Sequence, residues 1–247
     1  MGLAHSPRIV TNGLALCLDA GNPQSYTGSG TTWKDLSGNG CDATLTNGPT
    51  FNSDNRGSIV FDKVDDFANV TSNLPLYNTT GNFSCQTWIY PIDLGEGNFA
   101  RIFENFNQIA YTPSSGPNNG WNLTTNGTSV SNGIAVSMNG ASATPPFTLL
   151  FADFFTTYST WYNVTATVSG VVCRVYRNGV FFGTQNFGAA MTTMVGQSSV
   201  LSCVGNRGSL DRTFNGRISN VLVYPNKTLS DAEVAQNFNA TRGRYGV

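Results

Sequence analysis

Acid–base chemistry has few groups to work with in this chain. Its 247 residues include one histidine, His5, and three glutamates, Glu96, Glu104 and Glu233. Nucleophilic triads and zinc sites lean on histidine, and His5 stands in the N-terminal stretch, so neither is expected. Glycosidic bond cleavage needs two carboxyl groups about 5–9.5 Å apart across the bond. Glu233 falls in a helical pattern near the C-terminus, and nothing in the sequence pairs Glu96 or Glu104 with a partner acid. The residues predict a protein that binds and does not catalyse.

Oxygen ligands are better supplied. DLSGNGCDAT places Asp35, Asn39 and Asp42 in a glycine-broken loop, the kind of short spacing Ca2+ uses to collect about 6–8 oxygens. Asp19 and Asn22 of LDAGN would have to complete such a set. Asx turns that satisfy the loop's own backbone explain the same spacing, so both readings stand. Asp62, Asp65 and Asp66 form a second acidic group, read as a turn in which an Asp accepts backbone N–H bonds. Trp33 and Trp121 sit beside loop sequences, where an exposed indole could stack on a sugar ring. Trp121, with Tyr111 and Asn118 near it in sequence, is the leading glycan contact, and Trp33 is the second. From Phe147 to Phe155 both parities carry Leu or Phe, so something must cover each side. Either the fold covers both, or Phe151, Phe154 and Phe155 meet a partner or another copy.

The elements that must position these groups read as strands. LALCLD alternates cleanly, and Ser58–Phe61, Phe83–Tyr90, Trp161–Val168, Val171–Tyr176, Val180–Phe187 and Arg217–Tyr224 follow suit between Gly, Asn and Ser turns. That spacing predicts an all-β, two-sheet antiparallel jelly-roll sandwich. Asn178-Gly179 predicts a primed two-residue hairpin turn. Ser230 and Glu233 predict a capping box opening one short C-terminal helix. Residues 1–12 read as a tail and 13–247 as a single domain, with about 93–158 an elaboration of loops and strands. Charged residues are only 11%, and the net charge is −1 with no basic run, which excludes nucleic acid as a partner. No signal-peptide pattern and no apolar run of about 18 residues is visible, so membrane insertion is not expected. Five widely spaced cysteines, an odd number, read as buried thiols.

Three segments carry a resemblance: Gly13–Phe51, containing GLALCLDAGN and GTTWKDLSGNG; GSIVFDKVDDFANV, Gly57–Val70; and FNGRISNVLVYPNKTLSDAEVAQNFNATRGRYG, Phe214–Gly246. Together they resemble the laminin-G-like, concanavalin A-like jelly-roll family, in which Lys63 is usually Gly. The resemblance implies that Trp88 and Trp161 are core and that structural calcium is a candidate cofactor. The E-x-D-x-x-E strand pattern of the family's glucanases is absent. HSPRIVTNGLALCLDAGN joined to GTTWKDLSGNG is similar to versions in virion proteins of tailed, especially marine, bacteriophages. That implies a capsid decoration, tail or fibre component localised to the virion. Its partners would be other virion proteins or copies of itself, with an adhesin role toward a host-surface glycan. The alternative is a stand-alone calcium-dependent lectin-like module; a glycoside hydrolase comes third.

Overall fold

Alternation decides the architecture. The structure, a computed structural model, describes residues 8–70, 81–107, 120–139, 147–188 and 200–247. Its strands form two eight-stranded antiparallel sheets. The first runs β14 (Val180–Asn186), β13 (Val172–Arg177), β12 (Tyr162–Ser169), β7 (Asn82–Pro91), β16 (Asn215–Pro225), β5 (Ser58–Asp62), β4 (Thr50–Asn52), with β1 (Leu16–Asp19) also on β16. The second runs β11 (Phe147–Phe151), β10 (Gly133–Asn139), β9 (Gly120–Asn126), β8 (Arg101–Asn107), β15 (Val200–Val204), β6 (Phe67–Val70), β3 (Ala43–Thr46), β2 (Thr32–Trp33). This is the expected sandwich, and the first and last strands lie side by side in it, Leu18 opposite Val221.

Each strand sends every second side chain inward. In β7, Phe83, Cys85 and Ile89 join the main core, whereas Trp88 faces the other way. In the second sheet Phe103, Trp121, Leu123, Val136, Met138, Val204, Ala68 and Val70 make the opposing half of that core. Within the stretch around 93–158, β8, β9, β10 and β11 supply four of the second sheet's eight strands. The Asn178-Gly179 turn takes φ of 52° and 75°, the left-handed pair that a primed hairpin requires.

Helix α1 (Asp231–Thr241) closes the outer face of the first sheet. Ser230 Oγ accepts from Glu233 N at 3.3 Å and the Glu233 carboxylate accepts from Ser230 N at 2.9 Å, the reciprocal cap expected. Beneath the helix, Trp88 stacks on Tyr245 with ring centroids 4.0 Å apart, and its indole N–H donates to Thr241 Oγ1 at 2.8 Å. The N-terminal segment packs here too. Val10 N donates to Asn237 Oδ1 at 2.7 Å, and Tyr224 OH donates to Val10 O at 2.8 Å. What reads as a tail is thus fastened to the sandwich from Arg8 onward, where Gln236 Nε2 donates to the Arg8 carbonyl.

The apolar stretch at the end of β11 is core: of its two alternatives the fold itself covers both sides, and the interface reading of Phe151, Phe154 and Phe155 falls. Phe151, Phe154 and Phe155 are 4%, 0% and 3% exposed. Phe154 meets Phe155 on one side and Phe182 of β14 on another, with centroids 5.2 Å and 5.0 Å away. Both parities are covered because the chain leaves the sheet after Phe151 and folds the next two rings into the gap between the sheets' edges.

Candidate functional site

The proposed calcium ligands do not meet around a common centre. Asp35 Oδ1 accepts from Cys17 N and Ser37 N at 2.8 and 2.9 Å, and Oδ2 accepts from Ser37 Oγ and Cys41 N at 2.6 and 3.2 Å. Asp42 Oδ1 accepts from Asp35 N. Asp19 gives both oxygens to the Arg244 guanidinium at 2.6 and 2.8 Å, and Asn22 Oδ1 accepts from Gln24 N. Asn39 turns its amide nitrogen onto Ala15 O and Ser37 Oγ. The Asp35 carboxylate is spent on tying the loop to β1. The set does not fit Ca2+, which needs those lone pairs for itself.

Among the described residues, the carboxylates that do converge are Asp62, Asp65 and Asp66, with ligand atoms within 4.8 Å of one another. They form the turn expected of them: Asp62 Oδ1 accepts from Val64 N and Asp66 Oδ2 from Asp62 N. Burial, together with the Asp62 and Asp65 charges, pushes the Asp66 carboxyl up to about 6. All five cysteines are free and buried, and burial drives Cys17 up to about 12 and Cys41 to about 11, so neither is a nucleophile.

Neither tryptophan offered as a sugar platform is exposed. Trp33 and Trp121 are 0% and 1% exposed, and Trp121 is stacked between Phe83 and Phe103 at 4.5 and 5.1 Å. Both occupy inward positions of their strands, and that corrects the expectation. Tyr111 and Asn118 lie outside the described residues.

What the outer face of the second sheet presents instead is a polar row. Directly opposed residues of antiparallel strands share a face. The register therefore lines up Thr148, Ser137, Asn122, Glu104, Cys203, Asn69, Thr44 and Thr32, one from each of the eight strands. Their neighbours along each strand, such as Trp121 and Leu123 around Asn122, point into the core. Thr148 and Thr44 toward the two ends are exposed, whereas Ser137, Asn122 and Glu104 are 4%, 3% and 3% exposed. The row is open at its rims and enclosed at its middle.

Its hydrogen bonding is incomplete. Ser137 Oγ and Thr148 Oγ1 bond to each other at 3.0 Å. Glu104 is paired with the Arg101 guanidinium, which reaches the same face because the β8–β9 register slips between Arg101 and Phe103. Burial pulls the Arg101 pKa down and the Glu104 charge opposes it. Nearby, Arg207 grips Asp211 through two bonds of 2.6 Å, holding that carboxyl well below the usual range. Asn122 Oδ1 and Asn69 Oδ1 are enclosed and accept no hydrogen bond. Each such orphan costs about 1–3 kcal/mol. The row carries one carboxylate and no second acid, so it lacks the pair that hydrolysis needs. Sequence reasoning missed it, although GWNLTTN and GIAVSMN alternate polar with apolar, because alternation does not say which strands adjoin.

Residues 62–235 match the family model of the concanavalin A-like lectin/glucanases superfamily, Laminin_G_3. No curated protein matches the sequence. Among solved structures the chain is similar to the binding domain of Paraclostridial mosquitocidal protein 1, at 16% identity and TM-score 0.65, over 93% of this chain and 52% of that one. The botulinum neurotoxin serotype G binding domain gives 16% and 0.65 over 91% and 50%. Domain 4 of AbnA, an extracellular arabinanase of Geobacillus stearothermophilus solved in complex with arabinotriose, gives 14% and 0.61 over 91% and 97%. The chain spans about half the length of the toxin binding domains it matches. At these identities the likeness is one of fold.

Proposed function

Because the chain belongs to the concanavalin A-like lectin/glucanase superfamily, we propose that it is a non-catalytic carbohydrate-binding domain whose ligand lies on the polar row of the second sheet. The observation that carries this reading is the row itself: hydroxyls and amides along one outer face, exposed at Thr44 and Thr148, with the enclosed Asn122 oxygen unpaired between them. A sugar hydroxyl both donates and accepts, and so matches a carboxamide in either sense. Similar folds have been solved with arabinotriose, in the arabinanase domain, and with N-acetylneuraminic acid, in the botulinum neurotoxin serotype D binding domain. The single carboxylate of the row, already paired with Arg101, favours binding over hydrolysis. The likeness of the first forty residues to phage virion proteins supports a setting on a virion, where the domain would hold a host-surface glycan. There its neighbours would be other virion proteins or copies of itself.

The test is a panel of polysaccharides titrated against wild type and Asn122→Leu, an apolar side chain of similar size. Binding to one of them, weakened about tenfold or more by the substitution, is expected from the loss of one enclosed hydrogen bond. Equal binding by the variant, or binding by neither protein, contradicts the reading. Reducing sugar released by wild type and abolished in Glu104→Gln would replace it with a hydrolase. Mass spectrometry of purified particles tests the virion setting.

A further inference from the structure

Positive charge gathers at one place in a chain that carries little of it. Where α1 ends, an open cleft of about 720 Å3 is lined by Arg56, Asn239, Arg242, Gly243 and Arg244, and among the described residues no Asp or Glu lines it. Its volume falls in the range of about 300–1,000 Å3 that small-molecule pockets occupy. Arg244 is already neutralised, since the Asp19 carboxylate takes both of its terminal nitrogens at 2.6 and 2.8 Å. Arg56 and Arg242 are exposed. Among the described residues neither is in an ion pair, with a side chain or with the Val247 carboxylate. Asp54, beside Arg56 in sequence, is turned to Arg217 at 3.3 Å. The guanidinium of Arg242 lies 5.8 Å from the centroid of the Phe238 ring, a contact that leaves its charge in place. The C-terminal carbonyls of α1 amount to roughly half a negative charge, less than the two guanidiniums bring.

Arg56 is held at the cleft against its backbone preference. Its φ is 76°, in the left-handed region that disfavours a side chain, and it follows Asn55 at 56°. Asn55 straps this turn to the segment after α1: Nδ2 donates to Arg244 O at 2.8 Å, and Oδ1 accepts from Trp161 Nε1 at 3.0 Å. The connection between β4 and β5 thus brings Arg56 to the cleft, and the end of α1 brings Arg242.

We propose that this cleft binds a small phosphate monoester, its dianion held by Arg56 and Arg242. Such a group carries about −1.5 to −2 charge and three acceptor oxygens on one phosphorus, which suits two guanidiniums lining one site. The cleft is larger than a bare ion fills, and the exposed Asn239 carboxamide meets the organic part. The site is separate from the polar row, which lies on the other sheet.

Calorimetric titration of the whole chain with glycerol 3-phosphate, inorganic phosphate and glycerol tests it. Glycerol 3-phosphate should bind, inorganic phosphate more weakly and glycerol not at all, and high salt should weaken binding severalfold. Arg242→Gln and Arg56→Gly should each lower affinity about tenfold, as the loss of one charge-assisted hydrogen bond implies. Arg56→Gly also suits the left-handed backbone, so its Tm should be no lower than that of wild type, and the lost affinity is then no loss of fold. Gly243→Glu is the sharpest variant. Gly243 has no left-handed φ, and a Cβ added there meets nothing within 4 Å, so the variant should fold as wild type while setting a carboxylate in the cleft and abolishing binding. No binding of either phosphate, or binding that all three variants leave unchanged, overturns the site. Inorganic phosphate as tight as the ester overturns the organic part. Succinate binding more tightly than the ester overturns the phosphate class.

Discussion

The two outer faces of the sandwich begin from the same rule, alternate side chains pointing away from the core, and end differently. On the first sheet the outward residues include Trp88, Tyr176 and Tyr224, and the chain covers them with its own α1, its last residues and Val10. The polar tips there find partners: Trp88 donates to Thr241, Tyr176 OH to Asp231 Oδ1, and Asn237 Nδ2 to Tyr224 OH. On the second sheet the outward row is mostly hydroxyls and amides around the Glu104–Arg101 pair and Cys203, exposed at its ends and enclosed at its middle, and two of its oxygens are left without a donor. Aromatic outward residues call for a lid and the chain supplies one. Amides and hydroxyls can be completed by a ligand. Under the proposed function one face serves stability and the other recognition, and that contrast makes separable predictions.

The largest effect belongs to neither face but to the seam between the sheets. Phe154→Ser with Phe155→Ser removes two enclosed rings, each worth about 3–5 kcal/mol, and should leave no soluble folded monomer. A folded, soluble double variant that merely loses self-association would restore the interface reading. Next is the closed face. Trp88→Ala gives up the Tyr245 and Phe238 stacks, and should cost about 3–5 kcal/mol, or on the order of 10 °C in Tm, without changing sugar affinity. A Tm loss of a degree or two in thermal denaturation would mean that α1 is not the lid described.

Asp35→Ala should cost about 2–3 kcal/mol, because four donors lose their acceptor at once. That cost should be the same in chelator and in added calcium, and chelator should not move the wild-type Tm. A calcium-dependent Tm that vanishes in the variant would reinstate the ion. The smallest effect is electrostatic. The Asp66 carboxyl titrates near 6 when folded against 3.8 as its ordinary value, so its neutral form is the one the fold prefers. As pH rises through about 4 the unfolded chain ionises first, and the stability from this group is lost between about 4 and 6. Discounting for screening of the exposed Asp62 charge, which contributes to the shift, that loss is about 1–2 kcal/mol. Asp66→Asn keeps an acceptor for Asp62 N and should remove that decline from the pH–stability profile; an unchanged profile would locate the titration elsewhere.

Much of the first sheet was legible in the sequence. Its strands alternate, Asn178-Gly179 announces its hairpin, and Ser230 with Glu233 announces the helix that caps it. The second sheet was less so. RIFENFN, GWNLTTN and GIAVSMN are flanked by Gly-, Asn- and Pro-rich segments that masked their alternation, and β8–β11 were read as elaboration. Trp33 and Trp121 were misjudged because adjacency to a loop in sequence does not say which way a strand's side chain points. The row itself joins residues 32 to 148 with 202–204 interleaved, an adjacency that only strand order creates. The Asp35 loop hydrogen-bonds its own backbone, an arrangement that one of its two alternatives describes, and its spacing alone did not separate that from an ion site.

The central claim is that the second sheet's outer face binds sugar and the first sheet's does not. Backbone amide NMR on the labelled chain, titrated with the best-binding neutral oligosaccharide, tests it directly. The account predicts that shifts concentrate at Glu104, Asn122, Ser137, Cys203 and Asn69, with Trp88, Tyr176, Tyr224 and Tyr245 unmoved. Shifts that gather around α1 and the first sheet, leaving Asn122 and Asn69 untouched, would contradict it.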